Sequence, residues 1–353
     1  MELYRASEQW AKRPPDERFQ SLAEMGAACK AYRESAKTAV VPYGNLRVEA
    51  SGDDVRLVGK AGVPAVFTNW AFGQLASRVG APVGYLRGLP ATLAAQNLNY
   101  GLAHQGEEGS KEASLLFHSN GGLVLRAATS DQYSRIWNAE VIERLQALPD
   151  VWRPAPAAFD GSRGLYASDH DMFAFLVDNN RRIFEEANDG GLSRGFFVEN
   201  SEVGAAAFRV MTFLYRFCCG NHIVWGASEV KELAIRHVGS AAEMFSGKMV
   251  VELKRYAEES TSDIEAKISA ARRYELGKTK KEVLDFVFGR RFMSRKAAGE
   301  AYEETVQHSE DGSPRSAWGL AQGLTRISQR SPYADERVGL DRAAARVLEV
   351  VEF

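Results

Sequence analysis

Apolar positions follow a period of two in some stretches of this chain and a helical period in others, and the changes mark its elements. After a polar start, the pattern predicts one short helix around Phe19–Lys37. Residues 39–60 predict a hairpin, because Val40, Val41, Leu46, Val48, Val55, Leu57 and Val58 flank Ser51–Asp54, whose Gly-Asp pair is a turn signal. Thr68 or Asn69 is placed to cap a helix through Val79, which Gly80 and Pro82 end. Shorter helices follow at Val83–Arg87 and after Pro90, then a polar loop at 103–112. SLLFHSN and LVLRAATS around Asn120-Gly121-Gly122 predict a second hairpin. DQYSRIWNAEVIERLQAL then predicts a helix capped by Ser130 or Asp131, with Ile136, Ala139, Ile142 and Leu145 inward.

Pro149, Pro154 and Pro156 make 146–164 a linker or long loop. Beyond it, Gly164–Ala167 and Met172–Asp178 flank the polar SDHD. RGFFVENSEVG and AAFRVMTFLYRFCCGNHIVWG read as two long strands that meet near Ser201–Gly204, or the second as a strand followed by the start of a helix. From Ser228 the apolar positions Val230, Leu233, Val238, Ala241, Phe245, Met249, Leu253 and Tyr256 take helical spacing. Further helices are expected at Thr279–Phe288, Lys296–His308, Ala317–Ser328 and Glu336–Val350. The order is that of an α+β protein, with an antiparallel sheet core, β-hairpins, long helices and a helical C-terminal third. The expected division is a polar leader at 1–40, an N-terminal α+β unit at 41–150, a central antiparallel sheet at 151–226 and a helical region at 227–353.

Composition adds limits. The net charge of −2 excludes a wholly basic nucleic-acid binder but leaves room for a local basic face. Three cysteines, Cys29, Cys218 and Cys219, form no disulfide framework and suit a reducing cytoplasm. The start is too polar for a secretory signal, and no apolar run is as long as a membrane-spanning helix, so no membrane association is expected.

The motifs of common chemistries are missing: no GxxxxGK[ST], no GxGxxG after a strand, no HExxH, no CxxC and no GxSxG. No cofactor is expected. RFCCGNHIVWG (216–226) first suggests a Cys/His site, but adjacent cysteines on a strand point to opposite faces, so packing is the simpler reading. Asp169, Asp171, Glu199 and Glu202 offer a metal site if they converge, or polar turns if they do not. Arg126, Tyr133, Arg135 and Trp137 surround the second hairpin, and Arg194, Arg209, Tyr215 and Arg216 lie on the central strands. Cations interleaved with aromatic rings suit single-stranded nucleic acid, since cations neutralise phosphate and rings stack on bases. The alternative is that the rings pack the core while the arginines pair with acids such as Glu199 and Glu202. Charge is also uneven along the chain. Residues 254–296 hold twelve Lys and Arg against seven Asp and Glu, whereas 297–353 hold six against ten.

Four segments resemble a phage- and plasmid-associated family, domain of unknown function 932. They are AFGQLASRVGAPVGYLRGLP (71–90), YSRIWNAEV (133–141), RGFFVENSEVGAAAFRVMTFLYRFCCGNHIVWG (194–226) and WGLAQGLTRISQ (318–329). The resemblance spans roughly residues 40–350, and Arg216, Cys219 and Asn221 are its most specific element. It carries no assigned activity and implies a mobile-element setting. The β-hairpins followed by a long helix also look like ring-forming annealing proteins, an analogy of fold alone. The combined expectation is a non-enzymatic, self-assembling protein that binds or anneals single-stranded DNA in recombination or replication. The alternatives are a metal-dependent nuclease, or a protein-binding anti-defence or regulatory factor working through its acidic end.

Overall fold

In the computed structural model the described residues are 17–59, 63–107, 112–119, 121–155, 163–183, 192–216, 221–223, 233–241, 245, 247–248, 251, 262–308, 312–331 and 333–351. They form an α+β fold with two sheets and a helical C-terminal part.

The first sheet has six strands: β2 (Ala36–Pro42), β3 (Arg47–Ser51), β4 (Asp54–Val58), β5 (Pro64–Phe67), β6 (Glu112–Ser119) and β7 (Leu123–Ser130), in the order β2-β6-β7-β5-β4-β3. The first hairpin forms where the turn signal placed it, with Gly52 at φ +63°. Val40 and Val41, however, lie on β2, which pairs with β6 rather than joining that hairpin. β6 and β7 form the second hairpin, and β5 runs parallel to β7. Helices α2 (Asn69–Arg78), α3 (Val83–Gly88) and α4 (Ala91–Glu107) follow β5 in sequence. Thr68 caps α2 by accepting from the Ala71 N–H, as its sequence position predicts. α4 runs into the stretch expected to be loop, since Leu98 and Leu102 keep its apolar stripe buried.

The second sheet runs β1 (Glu17–Arg18), β9 (Leu165–Ala167), β10 (Met172–Ile183), β11 (Leu192–Asn200), β12 (Phe208–Arg216) and β13 (Asn221–Ile223). Two short strands pair off this path: β8 (Trp152–Pro154) on β10, and β14 (Leu233–Ile235) on β12. β8 lies in the proline-rich linker, and Leu233 belongs to a strand rather than to a helix from Ser228. β1 reaches the sheet from within the supposed leader, and α1 (Leu22–Glu34) follows it, so residues 17–40 are integral to the fold. Every residue of β11 is buried. One face of the sheet (Met172, Leu176, Phe196, Val198, Val210) packs with α1 and α5 (Asn138–Gln146). The other (Phe173, Phe175, Phe197, Phe213) meets Val338. A sheet covered on both faces gives the continuous apolar run seen at Phe196–Val198.

The C-terminal helices α6 (Ser262–Arg273), α7 (Lys280–Gly289), α8 (Arg295–Gln307), α9 (Ala317–Arg330) and α10 (Ala334–Leu348) share one core around Trp318, Leu320, Leu324, Val347 and Leu348. Thr279, Ser294 and Ser316 cap α7, α8 and α9. Within α9, a Cβ on Gly323 would lie 2.0 Å from the Ala301 carbonyl oxygen and 2.5 Å from Thr305 Oγ1 of α8. Gly323→Ala is therefore expected to force α8 and α9 apart and lose about 1–3 kcal/mol of stability, read by urea unfolding. An unchanged midpoint would contradict this close approach.

Among the described residues, no helix is long and apolar enough to cross a membrane.

Candidate functional site

Arg126 on β7 faces the loop that follows β11. Its Nη1 donates to Glu202 Oε2 at 3.0 Å and its Nη2 donates to the Asp169 carbonyl at 2.7 Å. The guanidinium stands 4.7 Å from the Tyr32 ring centroid, and both members of the ion pair are 3% exposed as side chains. Glu202 Oε1 accepts from the Asn138 N–H at 2.9 Å. A carboxylate from 64 residues away thus sits at the first turn of α5, where helix N-termini favour negative charge. This explains why α5 begins at Asn138 and not after Ser130, which still belongs to β7. Trp137, at the helix entry, has no capping side chain of its own.

Arg135 donates through Nε to the Glu202 backbone carbonyl at 2.7 Å and lies over the rings of Tyr133 and Trp137. Tyr133 donates to the Ser201 carbonyl at 2.8 Å and stacks on His237, with centroids 5.1 Å apart. Asn200 Nδ2 donates to the Ile136 carbonyl and to Asn138 Oδ1, and Ser201 Oγ donates to the His170 carbonyl. The ENSE run is therefore a buried polar hub that ties β7, the entry to α5 and the His170 turn together. A cavity of about 330 Å³ lies beside it, lined in part by Cys29, Tyr32, Arg126, Asp169 and Glu202. Burial pushes the Cys29 thiol up to about 12, with the Glu202 charge adding to the effect, so it is no thiolate nucleophile at neutral pH.

Arg126 and Arg194 are each 3% exposed, and Arg126 is spent on Glu202, so neither faces a phosphate. Arg135 is committed to the hub. Arg209 donates to Glu199 Oε2 at 3.1 Å, and so does Arg342 of α10. The pairing of arginines with Glu199 and Glu202, weighed as the alternative, is the arrangement found. Tyr215 and Arg216 lie at the end of β12, opposite His222 and Asn221. The side chains of Tyr215, Arg216 and Asn221 fall outside the described residues, as does all of Cys219.

The metal assignment does not survive the geometry. Glu199 serves Arg209 and Arg342, and Glu202 serves Arg126 and α5. Asp171 accepts from Ser168 and sits 3.2 Å from His170 Nδ1, and Asp169 is exposed. Among the described residues, no three His, Cys, Asp or Glu side chains gather as a metal site. Glu199 and Glu202 each neutralise separate arginines, so these two carboxylates do not turn to a shared cation.

Two buried titratable groups give stability an opposed pH dependence. Burial lowers His237 from 6.5 to about 4, so its folded-state contribution is present above pH 6.5 and is lost as pH falls towards 4. Burial raises Asp341 from 3.8 to about 8, against the Ser328 hydrogen bond and the Arg337 charge. Its contribution is complete below 3.8 and lost as pH rises through 8. Between pH 6.5 and 8 the Asp341 effect lowers stability as pH rises, at up to about 1.4 kcal/mol per pH unit. Asp341→Asn is expected to flatten the decline of stability across that range in urea titrations at stepped pH. A decline as steep as the parent's would refute it.

A second charged feature lies at the helical end. Arg272 and Arg273 close α6, Lys278 precedes α7, Lys281 lies within it, and Arg290 and Arg291 follow it; all six are exposed. None of the six has a carboxylate partner among the described residues. Tyr274 and Phe288 are 36% and 48% exposed beside them. Arg291 has φ +57°, the one described non-glycine residue in the left-handed region. It donates to the Phe288 carbonyl while Phe292 donates to Val287, a Schellman closure that most often places glycine at this position. The charge count along 254–296 pointed to this region, but which cations stay unpaired is fixed by the fold.

No curated protein and no solved structure matches the chain. The family model for domain of unknown function 932 (DUF932) matches residues 127–344, starting beyond the 71–90 segment and taking in β11, β12 and α9. That match covers more than half of the sequence, and the chain belongs to this family.

Proposed function

We propose that this protein binds single-stranded nucleic acid without catalysing a reaction, in the recombination or replication of a mobile element, and that its contact surface is the exposed basic run from Arg272 to Arg291. The observation that carries the reading is the set of six exposed cations with no acid partner among the described residues, next to exposed Tyr274 and Phe288. Such a surface supplies phosphate neutralisation and base stacking together. Nearby charges are already paired: Lys280 with Glu303, Arg295 with Asp285, Lys296 with Glu300 and Arg315 with Glu275. Of these acids, Glu300 and Glu303 belong to the acidic stretch 297–353. The mobile-element setting rests on the sequence resemblance.

The test is a fluorescence-anisotropy titration with a labelled oligonucleotide over a series of salt concentrations. With six phosphates neutralised, log K is expected to fall with log salt at a slope of about −4, from roughly 0.7 per phosphate on a single strand. No binding at low salt would sink the proposal.

Arg291 separates binding from folding. Glycine at a left-handed position relieves about 1 kcal/mol of backbone strain. Arg291→Gly is therefore expected to raise the urea midpoint and to weaken oligonucleotide binding. A variant both more stable and equally tight would show that Arg291 carries no phosphate contact.

A further inference from the structure

A second cavity, of about 650 Å³, opens between α2, α3, the strand residue Ala128 and the turn at Gly204. One face of α2 lines it with Trp70, Gly73 and Arg78, and α3 contributes Val83 and Arg87. Two features set it apart. The charge of Arg87 meets no counter-charge among the described residues: its Nη2 donates to the Asn69 carbonyl at 3.1 Å and to Asn69 Oδ1, both neutral, and its guanidinium stands 5.8 Å from the Phe72 ring centroid. Two hydrogen-bond donors here, Arg87 Nε and Asn69 Nδ2, are also buried with no acceptor among the described residues. A buried donor without an acceptor is costly, and a desolvated guanidinium without a counter-charge more so. Both deficits are met by the same kind of group, an anion with several acceptor oxygens. Arg78, exposed at the end of α2, adds a second fork, and no acid among the described residues lines the cavity.

The volume exceeds what a bare anion fills and is ordinary for a small organic ligand. The Trp70 indole donates its N–H to the Val203 carbonyl at 3.0 Å, which fixes the ring, and Val83 offers an apolar surface. We infer that this cavity is a binding site for a nucleoside monophosphate, its phosphate held by Arg87, Arg78 and the Asn69 amide and its base against Trp70. This site is separate from the basic helical run and does not rest on the nucleic-acid reading.

Gly73 gives the means to block it. A Cβ there would meet Arg87 Nη2 and Val83 at 3.8 and 3.9 Å, ordinary contact distances, so a longer side chain would extend into the space the ligand needs. Isothermal titration of the full chain with adenosine and thymidine 5′-monophosphates is the experiment, with inorganic phosphate as a second arm. Binding is expected for the nucleotides and at least about tenfold weaker for phosphate alone. Arg78→Ala is expected to weaken nucleotide binding at least about tenfold, roughly the worth of one charge-assisted hydrogen bond. Gly73→Leu is expected to abolish it, with unliganded thermal midpoints showing that both variants fold. Failure of both nucleotides to bind at millimolar concentration would overturn the assignment. So would unchanged affinity in Arg78→Ala and Gly73→Leu, or phosphate binding as tightly as the nucleotides. Variants of Lys281 and Arg290 leave this affinity unchanged, which keeps the two surfaces distinguishable.

Discussion

Glu202→Ala is expected to lose about 3–5 kcal/mol of folding stability, more than the about 1–3 kcal/mol expected for Gly323→Ala. Truncation leaves Arg126 charged, 3% exposed and bonded only to a neutral carbonyl, and it uncaps α5 at the Asn138 N–H. Both losses follow from removing one side chain. A buried pair need not stabilise relative to a well-packed apolar substitute, so the double variant Arg126→Met/Glu202→Leu is expected to recover much of the loss. Urea unfolding of the three proteins checks this. A Glu202→Ala midpoint within error of the parent would mean that the pair holds nothing together.

The second large effect is on binding. Reversing Lys278, Lys281, Arg290 and Arg291 to Glu is expected to remove about four of six phosphate contacts and to abolish oligonucleotide binding at physiological salt. Stability should change little, because the four side chains are exposed and outside the helical core. Circular dichroism and unfolding midpoints of the variant separate lost binding from lost structure.

Local chemistry made much of the fold legible. Ser51–Asp54 and Gly121 placed two hairpins, and Thr68 placed the start of α2. The heavily apolar Phe196–Val198 was recognisable as strand. The errors have a common origin in tertiary pairing. Asp131 to Ile136 looks helical, but Tyr133 bridges Val238 and the true cap comes from Glu202. Leu233 fits a helical stripe, yet β12 recruits it as a strand. Trp152 hides a strand among prolines because its partner Asp178 lies beyond the linker.

The site was less legible for a related reason. An arginine beside aromatic rings reads alike whether it faces solvent or a buried carboxylate. Arg126 and Glu202 are 76 positions apart, and no local pattern joins them. The ENSE run inside an apolar strand was the available signal, since four polar residues there must find partners in the interior. The charge excess at 254–296 was visible in composition, while Glu303 and Glu300 of α8 pair with Lys280 and Lys296, and Arg290 and Lys281 have no acid partner among the described residues.

The central claim is that nucleic-acid contact lies on the helical end and not on the arginines of the sheets. Its most direct measurement is the salt dependence of oligonucleotide anisotropy for the parent and for Lys281→Ala/Arg290→Ala. A slope reduced by about 1.4, two contacts at roughly 0.7 each, is the predicted result. An unchanged slope and affinity in the double variant would contradict it.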